Sequence, residues 1–444
     1  MAIRVLQASA WYPPTHVGGT EVYVTGLVRE LCAHGIISQV VAPLGLEQAD
    51  GYDFEGTRVR TYPVSATASR QEIRGNVPPQ GLSRFRDILV EEQPDIYHQH
   101  SWSRGLGAPH LRAARELGLR TVLTIHVPNN ICLRGTMMRF GQSACDGYID
   151  EVKCAECWSH GRGAPKLLAH ALARVPSAFG SALRRVGIDG RVATAFSARR
   201  LVHQRRAEFA GMMANADRVV AVCQWLYDAL VRNGASTKKL VLSRQGVEPR
   251  FAARVQAAVR VGTAAEGVFR LLYLGRWHPV KGVHVLVEAV RRIPEKVSLD
   301  LVVHGIGEGS EERAYEAKVR RLAKSDVRIH FGPAISRERL AETLAQADAI
   351  AVPSVWMETG PLVVWEAKAA GIPVIGSRLG GIAEVVREPD DGVLVEPGSV
   401  QAWAAAITKM ALNHIARRPH GAPNSIRTMQ NAAAEMATLY RLLC

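Results

Sequence analysis

Glu358-Thr-Gly-Pro-Leu-Val-Val-Trp-Glu366 places two carboxylates eight positions apart around a Gly-Pro step, and Gly371-Ile-Pro-Val-Ile-Gly376 follows it. Proline suits the first turn of a helix, where its missing N–H would have had no partner in any case. The stretch therefore predicts a helix from Pro361 to about Ala370. Glu358 falls in the loop before it, after Val352-Pro353-Ser354, and Glu366 falls on its second turn near the positive end of the helix dipole. Pro373–Ile375 then reads as a buried strand, which makes the segment one turn of an alternating strand and helix pattern.

The same alternation runs outward in both directions. Arg270–Leu274, Ser298–Val303 and Ile350–Val352 read as parallel strands, separated by the helices Val283–Arg292, Glu311–Ala323 and Arg337–Gln346. Near the N-terminus, Ile3–Gln7, Ser38–Ala42, Ile96–His98 and Thr121–Ile125 read as strands, and Glu21–Ala33 as a helix closed by Gly35. With 444 residues, two α/β domains are expected. The first spans 1–245 with an irregular insertion at about 129–206, and the second spans 246–424. Gly246-Val-Glu-Pro249 and the following Arg250–Ala265 read as the linker. The closing helical stretch from 425 to 444 has no strand after it, which suggests that it packs back across the junction.

Open parallel sheets bind ligands beyond the carboxyl ends of their strands, where helix N-termini and loop amides gather. Three further segments fall there: Gly18-Gly19-Thr-Glu21, His126 at the end of Thr121–Ile125, and Gly275-Arg-Trp-His-Pro-Val-Lys-Gly282 after Phe269–Leu274. Paired glycines let a backbone approach an anion, although such a pair is also an ordinary turn. Arg276 and Lys281 are two cations on one loop, able to stabilise the charge that grows on a departing diphosphate without a metal. A carboxylate such as Glu358 or Glu366 accepts paired hydrogen bonds from the adjacent hydroxyls of a sugar or a ribose. Together these groups describe a nucleotide-sugar site. A hydrolase pair of carboxylates is the competing enzyme reading, and separate phosphate-binding cations argue against it. His126, His98 and His100 suit either a structural or a ligand-facing role.

Taken in order and spacing, these segments resemble family 4 of the retaining glycosyltransferases. The resemblance rests on Gly18–Glu21, on Gly275–Gly282, on Glu358–Glu366 continuing through Val374, and on Gly380-Gly381-Ile-Ala-Glu384. It covers nearly the whole chain. It implies the GT-B fold, two Rossmann-like domains facing each other across a deep cleft. It also implies that Arg276 and Lys281 bind the donor diphosphate, that Glu358 contacts the transferred sugar, and that Glu366 contacts the ribose. Gly18 and Gly19 would lie against the phosphates, and Gly360, Pro361 and Leu362 near the sugar and phosphate. His126 would lie near the sugar as a catalytic group beside Glu358, Arg276 and Lys281. Sugar transfer would retain anomeric configuration, from a nucleotide-diphosphate sugar to a glycan, lipid-linked or small-molecule acceptor, with no divalent metal in the chemistry. A non-catalytic GT-B protein that binds a ligand or partner is the alternative. Thr359 departs from the family, which commonly has Phe there, and Cys223 stands where Ser is common.

Composition narrows the setting. Hydrophobic residues make up 47% and charged residues 22%, as in a soluble globular protein. The N-terminus runs directly into a strand pattern, so a cytoplasmic chain is expected. The net charge of +14 suits nucleic acid, an anionic membrane or a phosphorylated substrate. No nucleic-acid module is recognisable. Between Arg162 and Arg206, basic residues such as Lys166, Arg174, Arg184, Arg185 and Arg191 interleave with Leu167, Leu168 and Leu172. That pattern reads as a solvated basic face or as an anionic membrane-surface patch, which would put the chain peripherally at the inner membrane face. The insertion also holds Cys132, Cys145, Cys154 and Cys157, and their spacing suits a structural zinc, with free thiols or a redox or iron–sulfur site as the alternatives. Some glycosyltransferases similar to this chain carry a comparable cysteine-rich insertion.

Overall fold

The computed structural model describes every residue except 1, 15–17, 45–50, 66–71, 73–76, 177, 181–189, 191–193, 262–266, 325 and 415–425. The chain divides into two compact units, Met1–Arg244 with Gln430–Cys444, and Gln245–Met429.

The strands of the first unit are β1 (Ile3–Ser9), β2 (Ile36–Leu44), β3 (Gly51–Phe54), β4 (Thr57–Pro63), β5 (Ile96–His100) and β6 (Arg120–Ile125). They continue with a separate small hairpin, β7 (Met138–Arg139) and β8 (Ser143–Ala144), and then β9 (Arg218–Ala221) and β10 (Leu240–Leu242). The main sheet runs β10-β9-β6-β5-β1-β2-β4-β3. Every neighbouring pair is parallel except β3 with β4 at the edge. Helices cover both faces of such a sheet, so its central strands are buried throughout. All five residues of β5 are buried. The helices are α1 (Gly19–Cys32), α2 (Leu82–Glu92), α3 (Ala108–Glu116), α4 (Glu151–Gly161), α5 (Lys166–Arg174), α6 (Ala198–Asn215) and α7 (Gln224–Arg232). In α1, Tyr23, Val24, Leu27, Val28 and Leu31 form the buried stripe that the helical spacing predicts. The insertion, expected to lack strands, contains the β7–β8 hairpin along with α4, α5 and the first half of α6. The strand β4 escapes sequence reading because it is rich in charge. Its Arg60 is buried against Glu92 of α2 and is counted as core only once that partner is known.

The second unit opens with α8 (Pro249–Val261), where the sequence reads as a linker. Phe251 and Val255, one turn apart, are buried and turn the segment into a core helix. Its sheet, β11 (Phe269–Arg276), β12 (Leu299–Ile306), β13 (Ile329–Gly332), β14 (Ala349–Val352), β15 (Val374–Ser377) and β16 (Gly392–Val395), is parallel throughout in the order β13-β12-β11-β14-β15-β16. The helices are α9 (Val283–Val290), α10 (Ser310–Ala323), α11 (Arg337–Ala345), α12 (Leu362–Ala370), α13 (Gly380–Val385) and α14 (Val400–His414). Side chains alternate across the sheet. Leu271 and Tyr273 therefore join one core layer with Leu286, Val319 and Trp403, while Leu272 joins the other with Phe251, Leu344 and Val364. The C-terminal helix α15 (Met429–Arg441) lies almost wholly within the first unit, where Tyr440 is fully buried.

Candidate functional site

Neighbouring strands β11 and β14 deliver two loops to the same edge of the second sheet. The loop after β11 makes one 3-10 turn, Pro279–Lys281, and leaves it through Gly282 at φ +71. A side chain at Gly282 would place its Cβ 1.8 Å from the Pro353 carbonyl oxygen, so only glycine lets the two loops meet here. The Val355 amide donates to the Val280 carbonyl across the same junction at 2.8 Å. This contact carries Lys281 to Glu358, with Nζ 2.6 Å from Oε1. The Ser354 hydroxyl donates to the same oxygen at 2.7 Å. Burial would push the Glu358 carboxyl up. The Lys281 charge and hydrogen bond, helped by Ser354, outweigh burial and hold it below the usual carboxylate range. Glu358 is thus a buried, ionised group.

Two glycines hold it from the other side. Gly380 lies at φ +53, where a Cβ would meet the Glu358 backbone at 2.8 Å. The Gly381 amide donates to the Glu358 carbonyl at 2.6 Å. Gly380-Gly381 therefore shapes the Glu358 loop. Arg276 is exposed at the end of β11, and the Tyr273 hydroxyl donates to its carbonyl at 3.3 Å.

Glu366 is buried on α12, which begins at Leu362, one residue later than Pro361 predicts. Its carboxylate accepts from Arg337 Nη1 of α11 at 2.9 Å. Burial outweighs that partner and raises the Glu366 carboxyl above its ordinary value. Gly360 packs against the Gln245 side chain, Pro361 is buried and Leu362 is half-buried. Sequence reasoning missed Ser354 and Arg337. Ser354 stands four positions before Glu358 and was findable; Arg337 is 29 positions from Glu366 and leaves no local signal.

In the first unit, Gly18 caps α1, and its amide donates to Glu21 Oε2 at 2.8 Å. The helix end is met by the chain's own carboxylate. His126 is buried, and its amide donates to the Ser101 hydroxyl at 2.7 Å. Its Nε2 is 3.0 Å from His100 Nδ1, and His100 Nε2 is 2.9 Å from Gln7 Oε1. Burial drives the His126 pKa down to about 3, so the ring is neutral. His98 and His100 are equally buried and face Thr124 and Gln7, within the sheet.

A cavity of about 960 Å³ opens among α2, α3 and α6, lined by residues including Pro79, Leu82, Trp102, Arg104, Arg112 and Arg205. The Arg205 guanidinium lies 3.7 Å from the centre of the Trp102 ring. Around this cavity, Arg205 Nη1, Ser103 Oγ and His110 Nε2 are buried with no hydrogen-bond partner among the described residues. Ser101, which leads into Trp102, sits at φ +64, a strained backbone for a non-glycine.

The structure gives the zinc expectation no support. Among the described residues, no group of three or more His, Cys, Asp or Glu is placed to hold a metal ion. The thiols turn to separate acceptors instead: Cys145 to Asp146, Cys154 to the Tyr148 carbonyl, and Cys157 to the Met138 carbonyl. Burial raises Cys145 and takes Cys154 up to about 12, which keeps both protonated. Cys132 is likewise a free cysteine. Of the basic stretch, α5 exposes Leu167 and Leu168 beside Lys166, while Arg184, Arg185 and Arg191 lie outside the described residues. Among the described residues, no helix is long and apolar enough to cross a membrane.

Comparison with known proteins agrees with this architecture. The fold, two parallel-sheet α/β units, is that of the GT-B glycosyltransferases. Residues 18–246 match the glycosyl transferase 4-like domain and residues 256–422 the glycosyl transferases group 1. The chain belongs to the glycosyl transferase 4-like family. It is 32% identical over 243 residues to D-inositol 3-phosphate glycosyltransferase of Xylanimonas cellulosilytica, covering 52% of this chain and 58% of that protein. To the protein of the same name from Geodermatophilus obscurus it is 33% identical over 240 residues, covering 50% and 53%. The chain thus spans little more than half the length of these curated relatives. Among solved structures, sucrose-phosphate synthase from Thermosynechococcus elongatus superposes with a TM-score of 0.64 at 19% identity, covering 99% of each chain. Anabaena HepE in complex with UDP and glucose superposes with a TM-score of 0.57 at 16% identity, covering 99% of this chain and 95% of that one.

Proposed function

We propose that this protein is a retaining glycosyltransferase that moves a sugar from a nucleoside diphosphate sugar to a phosphorylated, hydroxyl-bearing acceptor. The observation that carries the donor half is half-buried Lys281 paired with buried Glu358, with exposed Arg276 on the same loop as the lysine. As the bond from the anomeric carbon to the diphosphate breaks, negative charge grows on the leaving oxygens, and Arg276 and Lys281 are the cations to meet it. Glu358, kept ionised, accepts hydrogen bonds from the sugar hydroxyls, and Glu366 from the ribose. His126 is the group of the first unit that acts on the transferred sugar. The acceptor hydroxyl forms the new bond to the anomeric carbon and gives its proton to the departing diphosphate.

The acceptor half rests on the cavity of the first unit. Its Arg205, Ser103 and His110 atoms, without a hydrogen-bond partner among the described residues, are donors that suit phosphate oxygens, and the Trp102 ring beneath Arg205 keeps the guanidinium in place. The relatives named D-inositol 3-phosphate glycosyltransferase support an acceptor of this chemistry. Exposed Leu167 and Leu168 beside Lys166 further suit a salt-sensitive hold on an anionic membrane, readable by vesicle pelleting at low and high salt.

The deciding experiment is a thermal-shift screen against UDP, GDP, ADP and dTDP with an Arg276→Ala control, followed by transfer assays with inositol phosphate against inositol. A donor nucleotide at a hundredfold excess over its Kd adds about 2.7 kcal/mol of stability. A shift with one nucleotide, lost in the control, supports the donor site. No shift with any nucleotide in a folded sample would overturn the reading. Arg205→Ala is expected to raise KM for the phosphorylated acceptor alone.

A further inference from the structure

We propose that Tyr440, near the C-terminus, is a positioning residue for the His126 imidazole, acting through a closed set of buried hydrogen bonds. The inference rests on the role given above to His126. All its parts lie in the first unit, and every group in it is buried. Gln7 Nε2 donates to the Tyr440 hydroxyl at 3.1 Å. That hydroxyl lies 2.6 Å from His98 Nδ1, and His98 Nε2 lies 2.7 Å from Thr124 Oγ1. The other end of the Gln7 amide faces His100 Nε2 at 2.9 Å, and His100 Nδ1 faces His126 Nε2 at 3.0 Å. The rings are also packed in series. His98 and His100 have centroids 4.2 Å apart, His100 and His126 5.3 Å apart, and Tyr23 sets its edge on His126 at 4.8 Å.

These contacts determine the direction of each proton. With its amide NH2 committed to Tyr440, Gln7 offers only its carbonyl oxygen to His100, so His100 must carry its proton on Nε2. His100 Nδ1 is then an acceptor, and His126 must donate Nε2–H to it. The lone pair of His126 is thereby placed on Nδ1. Tyr440 in turn donates to His98 Nδ1, which leaves the His98 proton on Nε2 for Thr124. In a neutral imidazole, one nitrogen donates and the other accepts, and the hydrogen bond made by one decides the chemistry of the other. Among the described residues, Tyr440 is the partner of the Gln7 amide NH2, and it reaches it from a helix 433 positions along the chain. Without its hydroxyl the Gln7 amide is free to turn over, His100 loses its fixed tautomer, and His126 becomes a mixture of two. A group that must present one nitrogen to a sugar would then do so only part of the time.

The test uses the full chain, uniformly 15N-labelled, as wild type, Tyr440→Phe and Gln7→Met. Long-range 1H–15N spectra read the tautomer of His126 directly, and hydrolysis of UDP-glucose reads turnover. Wild type is expected to show His126 protonated on Nε2. In both variants the His126 nitrogen shifts should move toward a mixture. Turnover should fall about tenfold at unchanged KM, less than the roughly hundredfold that a full ångström of misplacement can cost. Unchanged His126 shifts in both folded variants would overturn the inference. A separate His126→Ala variant distinguishes the two claims. Full turnover in it would remove the role of His126, while a tautomer change in Tyr440→Phe would still show the positioning.

Discussion

Lys281 and Glu358 are 77 positions apart in the chain and 2.6 Å apart in space, joined across two loops that meet at Gly282 and Pro353. Removing the lysine takes the charge partner from a buried carboxylate to which Ser354 still donates. Breaking a buried pair from one side costs about 3 kcal/mol or more. Lys281→Met is therefore expected to lower the calorimetric Tm by roughly 6–12 °C. The loss should shrink at acid pH. A lowered carboxyl contributes stability that is present above its ordinary value near 4.5 and disappears as pH falls through its folded value. A deficit that stays constant as the carboxyl takes up its proton would show that the pair is not its origin.

Gly282→Ala tests the loop junction itself. Both the left-handed backbone and the approach to Pro353 forbid a Cβ there. The variant should lose about 1–3 kcal/mol from strain alone, more if the loops separate, and its affinity for nucleoside diphosphate should fall with it. Denaturant melts and titration calorimetry on one preparation would show whether the two losses travel together.

Glu366→Gln should behave in the opposite way. Burial raises this carboxyl, so ionising it costs the folded state free energy, and that cost grows as pH rises above the ordinary carboxyl value. The amide removes the cost, and the variant is expected to be no less stable than wild type at pH 7. If the carboxylate serves the ribose, the same variant should bind nucleoside diphosphate about tenfold more weakly, the scale of one lost hydrogen bond to a charged group. Tighter or equal binding would take the ribose role away from Glu366.

Acid should unfold the first unit through its imidazoles. His98, His110 and His126 are each driven by burial to about 3, and His100 well below its ordinary value. Above pH 6.5 they are neutral both folded and unfolded and contribute nothing to the pH slope. Below 6.5 only the unfolded chain takes up their protons, so stability falls with pH. At pH 5 each such ring costs about 2 kcal/mol. Urea melts of the full chain between pH 8 and 5 should show that fall, and His110→Phe, which removes one titrating ring, should flatten it. A flat profile in wild type would contradict neutral burial.

Much of the architecture was legible in the chain because parallel sheets write themselves locally. Runs such as Phe269–Leu274 and Ile350–Val352 are short and apolar, and the turns after them are rich in glycine and proline, so the strands and the loops bearing Arg276, Lys281 and Glu358 could be located without coordinates. Where the local pattern was charged, as in β4, or amphipathic but without neighbours, as in α8, it misled. Burial there depends on Glu92 and on the core around Phe251, not on adjacent residues.

What the tertiary structure alone decided were the partners. Nothing near Glu366 points to Arg337, nothing near His126 points to Tyr440, and the cysteine spacing that suited a metal gives thiols bonded to separate acceptors. The glycines at 380 and 381 likewise proved to make room for the Glu358 backbone. Sequence spacing governs geometry over a turn or two of chain. The charge state of Glu358, Glu366 and the buried histidines depends on which dipoles and charges the fold gathers within a few ångströms, and that gathering is set by strand order and loop packing across tens to hundreds of residues.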